Sequence, residues 1–249
     1  MEYNVARYEE IDSTNTQARR LSLEGAEQGL VVTAEKQSAG KGRRGRTWES
    51  PAGENLYFSI LLRPELKPEK APMLTLIMAY SVAKVFVDIG LPVQIKWPND
   101  LVLSKKKVCG ILTEMHLKES QVEDVVIGVG INVNTTKFPE ELQDKATSIY
   151  LKTGKQMERD ELLQKVLAEF QEQYEAFLEV QDLSVIKDSY NQMLINRNQE
   201  VLVLEPSGEY KAEALGITET GELLVKKANG EIESVYAGEV SVRGLYGYV

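Results

Sequence analysis

The chain contains one cysteine, Cys109, and one histidine, His116. A lone thiol cannot form an intramolecular disulfide, which fits a reducing compartment. A lone imidazole excludes any metal centre built from several histidines, and any further histidine-dependent triad. Cys109 lies in an apolar run and reads as a packing residue. His116 reads as structural or surface-facing. No uninterrupted apolar run approaches the ~20 residues that span a bilayer. The start, Met1-Glu2-Tyr3-Asn4, lacks the basic and apolar regions of a secretory signal. A cytoplasmic protein with no membrane association is expected. Neither Gly-x-x-x-x-Gly-Lys-Ser/Thr nor Gly-x-Gly-x-x-Gly occurs, so neither standard phosphate loop is present. Positive charge is scarce: 29 Lys and Arg stand against 38 Asp and Glu, a formal net charge of −9. That balance argues against nucleic-acid binding through bulk charge.

Against this background one segment stands out. Five of the eleven residues from Lys36 to Arg46 are cationic and none is acidic, with Trp48 just beyond. Gly40, Gly42 and Gly45 punctuate it, and glycine lets a backbone approach a ligand closely. Lys41, Arg43, Arg44 and Arg46 can line one space, and arginine grips phosphate bidentately. The segment points to phosphate or carboxylate chemistry; a solvated surface loop is the bland reading.

The 249 residues fit one large domain, or one large and one small. Strands are expected over residues 3–8, 29–35, 56–62, 93–97, 101–103, 108–117 and 125–133. Helices are expected from Asp12-Ser13-Thr14 to near Gly25, over 72–89 and over 158–178, from apolar residues recurring at helical spacing. Ser104-Lys105-Lys106 reads as a hairpin turn. From residue 199 only short strand-like runs appear, separated by Pro206-Ser207-Gly208, Thr220-Gly221 and Asn229-Gly230, the last two being hairpin signals. The expected fold is α+β: a mixed sheet packed with helices over residues 1–195, then a small β-barrel over 196–249.

Four other segments carry candidate chemistry. Asn99 and Asp100 follow Pro98 at a strand corner, as an Asx turn or with Asp100 as metal ligand or proton acceptor. Lys107 opens an apolar strand, where partial desolvation would strengthen its hold on an anion; Gly110 follows. Gly128-Val129-Gly130-Ile131-Asn132 places glycines in a strand, for a bulge or for ligand approach. Ser13-Thr14-Asn15 reads as a helix cap when taken alone.

Taken in order, these segments resemble the catalytic domain of biotin protein ligases. The matching pieces are Ser13-Thr14-Asn15, Gln37 to Arg46 with Trp48, Asn55-Leu56-Tyr57, Lys96 to Leu101, Lys107 to Leu112, and Gly128 to Asn132. In the tail they are Gly216-Ile217 and Ala237 to Arg243. The family's loop usually reads Gly-Arg-Gly-Arg-Arg-Gly; here Lys41 stands at the first arginine, keeping charge but losing the bidentate fork. The resemblance implies a class II aminoacyl-tRNA-synthetase-like catalytic fold with an SH3-like C-terminal domain. It is to the monofunctional form, with motifs beginning by Ser13 and no operator binding expected.

The implied activity uses ATP with Mg²⁺ to form biotinyl-5′-adenylate. Biotin then passes to one lysine of a biotin carboxyl carrier domain. The implied biotin contacts are Ser13, Thr14, Asn15, Gln37, Lys41, Gly42, Arg43, Lys107, Gly110 and Gly128. Those for ATP and adenylate are Arg43, Arg46, Trp48, Asn99, Lys107 and Asn132. Arg43, Lys107 and Asp100 are the implied catalytic residues. No protein metal site is implied, since Mg²⁺ arrives on ATP. Family members include monomers and homodimers paired through sheet edges. A lipoate ligase shares the fold and the adenylation logic, and Lys96 to Asp100 favours biotin. A nucleic-acid-binding protein and a non-enzymatic biotin-binding module are the alternatives from other classes.

Overall fold

The computed structural model describes residues 1–205, 208–237 and 241–244. Its larger unit runs β1 (Asn4–Ile11), α1 (Thr14–Leu23), β2 (Leu30–Gln37), β3 (Leu56–Leu62), α2 (Met73–Asp88), β4 (Val93–Lys96), β5 (Asp100–Leu103), β6 (Lys106–Lys118) and β7 (Gln121–Ile131), then α3 (Ile149–Thr153), α4 (Arg159–Val180) and α5 (Lys187–Met193). The seven strands form one sheet in the order β1-β2-β3-β7-β6-β5-β4. Only β1 and β2 pair in parallel; the other neighbours are antiparallel.

Strand periodicity sorts side chains between two faces. Phe58, Ile60 and Leu62 of β3 join the large core with α2 and α4, while Leu61 joins Val32, Val126 and Ala18 beneath α1. With both faces covered, all seven residues of β3 are buried. By length and composition the segment Pro68–Asp88 could cross a membrane, but 67% of its apolar window is buried. The sheet on one side and α4 on the other account for its apolar surface.

The hairpin between β5 and β6 turns on Ser104 and Lys105, both at positive φ (51° and 63°). That is the backbone of a type I′ turn, whose twist matches paired strands. Lys106, expected within the turn, instead opens β6. The helices α3 and α5 had no sequence expectation, being too short to show a clear apolar period.

A second antiparallel sheet holds β8 (Gln199–Glu205), β9 (Gly208–Ile217), β10 (Leu223–Lys227), β11 (Ile232–Val235) and β12 (Ser241–Gly244), in the order β11-β10-β9-β8-β12. The Thr220-Gly221 and Asn229-Gly230 signals fall at its hairpins, with both glycines at positive φ. Pro206 and Ser207, and Gly238 to Val240 of the tail match, lie outside the described residues. The two units are joined by specific contacts. Trp97 Nε1 donates to the Gly221 carbonyl (3.0 Å), and Asn191 of α5 accepts from the Ile217 N–H (2.8 Å).

Phe86 is fully buried on α2, whereas Leu23 is 68% exposed at the end of α1. Phe86→Ala should cost about 3–5 kcal/mol of unfolding free energy. Leu23→Ala should cost under ~0.5 kcal/mol. Urea denaturation of both variants checks the contrast.

Candidate active site

The site is built on the α1 face of the sheet, just beyond the helix's N-terminus. Antiparallel register sets Gly110 opposite Gly130 and Leu112 opposite Gly128, and Ser59 of β3 pairs with Gly128 on the other side. No register shift occurs there; the one between β6 and β7 falls at His116/Leu117. The glycines therefore mark no bulge. They make room. A Cβ on Gly128 would lie 1.9 Å from Asn15 Oδ1, and one on Gly130 2.6 Å from the Trp48 indole. One on Gly110 would lie 2.9 Å from both the Lys107 side chain and Trp48.

Ser13 stands at the N-cap of α1, yet its side chain makes no capping hydrogen bond. It lines the cleft with Thr14 and Asn15. The Thr14 N–H donates to Gln37 Oε1 (2.9 Å), and Gln37 Nε2 donates to Ser50 Oγ (2.9 Å). Ser50 Oγ in turn donates to the Trp48 carbonyl (3.0 Å). Asn15 is 4% exposed, and its amide is fully committed. Its Nδ2 donates to Glu114 (2.7 Å) and the Leu112 carbonyl (3.2 Å), while its Oδ1 accepts from Ser59 (2.6 Å). Gln37 and Asn15 thus knit the start of α1 to three strands. The helix-cap reading of this triplet gives way to one in which it forms a wall of the cleft.

The basic segment folds over this floor as a small loop closed by Trp48 N–H to Gly40 carbonyl (2.9 Å) and Gly42 N–H to Arg46 carbonyl (2.7 Å). Lys41 Nζ lies 3.6 Å from Glu114. Arg43 Nη1 donates to Asn99 Oδ1 (3.0 Å), and its Nη2 donates to the Ala237 carbonyl of the second unit. Burial lowers the Arg43 guanidinium from its ordinary range; Asp100 opposes the shift, and Arg44 and Arg46 add to it. An anion in the cleft would relieve that repulsion.

Lys107 Nζ sits 5.0 Å from the Trp48 ring centroid and 2.6 Å from Asp100 Oδ1. Residues 145–147 run alongside and hold its backbone through Lys107 N–H to Lys145 carbonyl and Thr147 N–H to Lys107 carbonyl, both 2.8 Å. The Trp48 Nε1 is buried and has no hydrogen-bond partner among the described residues.

The cleft brings together Ser13, Thr14, Asn15, Gln37, Lys41 and Gly42 on its loop and helix side. Arg43, Trp48, Asn99, Lys107, Gly110 and Gly128 complete it. Three expected residues do not line it. Arg46 is exposed, Asp100 pairs with Lys107 at 2.6 Å without lining the cleft, and Asn132 donates its Nδ2 to the Thr147 carbonyl (3.1 Å). In the sequence Gly130 reads with Gly128 as a bulge or a point of ligand approach but not as a contact, and Leu112 and Glu114 had no assigned role. The alternation of Gly128 and Gly130 on one face was the available signal for Gly130; Glu114 had none. A second cavity of about 280 Å³ adjoins the first where Arg43 and Asn99 border both, and Thr75 and Thr113 line its far wall. The lone histidine lies elsewhere, with Nδ1 2.6 Å from the buried Asp124. Burial pushes the Cys109 thiol up from its ordinary value, as expected of a packing residue.

Converging cations, a polar pocket end and a glycine-floored trough define an anion-handling cleft on a mixed sheet, with a small β unit held to its Arg43. The comparisons give that class its family. Residues 8–132 match the Biotin/lipoate A/B protein ligase family, and residues 198–243 match the Biotin protein ligase C terminal domain. A bifunctional ligase/repressor BirA from Bacillus spizizenii is 36% identical over 237 residues, 93% of this chain and 72% of the relative. A biotin–[acetyl-CoA-carboxylase] ligase from Paracoccus denitrificans is 29% identical, over 94% of this chain and 98% of the relative. The structure of an Aquifex aeolicus biotin protein ligase in complex with biotin and ATP superposes with a TM-score of 0.84. Its identity is 34%, over 97% of this chain and 99% of that one. The chain belongs to the biotin/lipoate A/B protein ligase family.

Gly128→Ala should destabilise the protein by about 1–3 kcal/mol, because the new methyl displaces the committed Asn15 amide. Adding Asn15→Gly should recover part of that loss by opening the space. Chemical denaturation of the single and double variants measures both effects.

Proposed function

We propose that this protein is an ATP-dependent biotin–protein ligase, and that the cleft joins biotin to AMP before passing it to a carrier lysine. The observation carrying the reading is the placement of Lys107, Trp48 and Arg43 beside the Thr14–Gln37–Asn15 wall in one cleft. The Aquifex aeolicus relative, solved with biotin and ATP, supports it.

In this reading the biotin carboxylate attacks the α-phosphorus of ATP, and pyrophosphate leaves. Two anions must approach each other, so fixed cations lower the barrier. Arg43 and Lys107 stabilise charge on the phosphate oxygens. Ser13, Thr14 and Gln37 meet the polar ureido head, and the glycine trough takes the acyl chain. Trp48 covers the adenylate and shields the mixed anhydride from water, its unpaired indole N–H offering a donor to the ligand. Among the described residues no group of three or more His, Cys, Asp or Glu could hold a metal. Mg²⁺ would enter on the ATP phosphates, as is usual for that ion, and would supply charge neutralisation there.

In the second half-reaction the carrier's lysine amine attacks the acyl carbon, AMP leaves and an amide forms. Asp100, 2.6 Å from Lys107, orients the incoming ammonium and takes its proton. The partner is a biotin carboxyl carrier domain, and the compartment is the cytoplasm. A lipoate ligase is the second reading within the family, and a thermal-shift comparison of biotin with lipoate separates the two.

Incubation with biotin, Mg·ATP and a carrier domain should release pyrophosphate and raise the carrier's intact mass by one biotinyl group. An unmodified carrier would overturn the reading. Asp100→Ala should slow carrier transfer more than adenylate formation; equal loss in both half-reactions would remove its assigned role. Arg43→Gly should speed escape of the adenylate, measured by trapping the released intermediate.

A further inference from the structure

Glu114 lies on β6, outside every segment to which the sequence assigned chemistry, yet its carboxylate touches both a wall of the cleft and its cover. Oε2 accepts from Asn15 Nδ2 at 2.7 Å, and Oε1 lies 3.6 Å from Lys41 Nζ. Lys41 and Thr47 form a backbone bridge at the neck of the basic loop, so Lys41 sits where the loop leaves and rejoins the fold. The other end of the loop is tied to the same wall, through the Trp48 carbonyl, Ser50 and Gln37. The polar chain that begins at Lys41 therefore returns to the loop at Trp48, and Glu114 is its one acidic link.

We infer that Glu114 is a positioning residue that latches the neck of the basic loop to the Asn15 wall. A loop of like charges resists folding back on itself, and a fixed anion at its neck opposes that tendency. Lysine suits this latch. A compact ammonium on a flexible stem follows a carboxylate over a range of positions, whereas a guanidinium fork demands one orientation. Asn15 gains as well: its amide is held in the orientation that fills the space above Gly128. The latch acts before any ligand arrives, and its functional consequence, slower escape of the bound intermediate, rests on the proposed biotin site.

The test is a double-mutant cycle with Glu114→Gln and Lys41→Met. Glutamine keeps an acceptor for Asn15 and removes only the charge. Hydrogen–deuterium exchange of residues 38–48 in the ligand-free protein is the first readout. Each single variant should raise exchange by about two- to fivefold, as for a half-exposed ion pair. The double variant should exchange no faster than either single. Additive increases would overturn the latch, as would a fall in melting temperature that accounts for the faster exchange. Glu114→Ala, which also removes the Asn15 acceptor, should give about a tenfold rise. The second readout is biotinyl-adenylate release, expected to quicken in the same order. Exchange is read without ligand, so the two readings fail separately. A protein that makes no adenylate but shows the coupled exchange keeps the latch and loses the ligase. An active ligase with additive exchange loses only the latch.

Discussion

The register between β6 and β7 is the constraint on which the site rests. It places Gly110 against Gly130 and Leu112 against Gly128, so two small residues from one strand and one from the other open a trough on the α1 face. Because side chains alternate across a sheet, a slip of one residue would turn the glycines toward α2 and fill the trough with Val129, Ile131 and Ile111. The same register carries Lys107 to the end of the trough, where Trp48 lies across it. The strongly apolar residues on the α2 face hold the register, since they can be buried in only one phase. Core and site are thus two faces of a single pairing decision.

Charge is the second constraint. The molecule is acidic as a whole, but one loop and one strand end bring a cluster of its cations together. Each is balanced locally by an oxygen: Lys107 by Asp100, Lys41 by Glu114, and Arg43 by Asn99 and the Ala237 carbonyl. None of these partners is a second cation's equal, and the Arg43 guanidinium remains under repulsion from Arg44 and Arg46. The contact between Arg43 and the Ala237 carbonyl also ties the cleft's loop to the small β unit, which borders the adjoining cavity.

Much of this was legible in the chain. Long periodic segments such as α2 and α4, and the turns at Ser104, Thr220 and Asn229, announce themselves through spacing and turn chemistry. The basic loop is visible because glycine and arginine rarely alternate without purpose in an acidic protein. The resemblance to biotin protein ligases then assembled Ser13, Gln37, Lys107 and Gly128 into one place. Three features had no such signal. The helices α3 and α5 are too short to show a period. Arg46, alike in kind to Arg43, faces solvent because the loop turns at Arg44, which sits at φ 59°. Glu114 looks in sequence like any strand-surface carboxylate.

The sequence alone determined which residues could do chemistry: a cationic loop, a strand-end lysine, glycines within an apolar strand, and no competing histidine or cysteine site. It also determined the family, through the order and spacing of those segments. Tertiary structure decided what each residue touches. Gly128 is small because Asn15 needs its volume, Asn15 is immobile because Ser59, Leu112 and Glu114 take its amide, and Asp100 is paired because the β5–β6 turn returns Lys107 to it. The contacts of Asn15 join residues far apart in the chain, and no local pattern encodes them. They arise only when packing of the α2 face fixes which strands lie side by side and in what register.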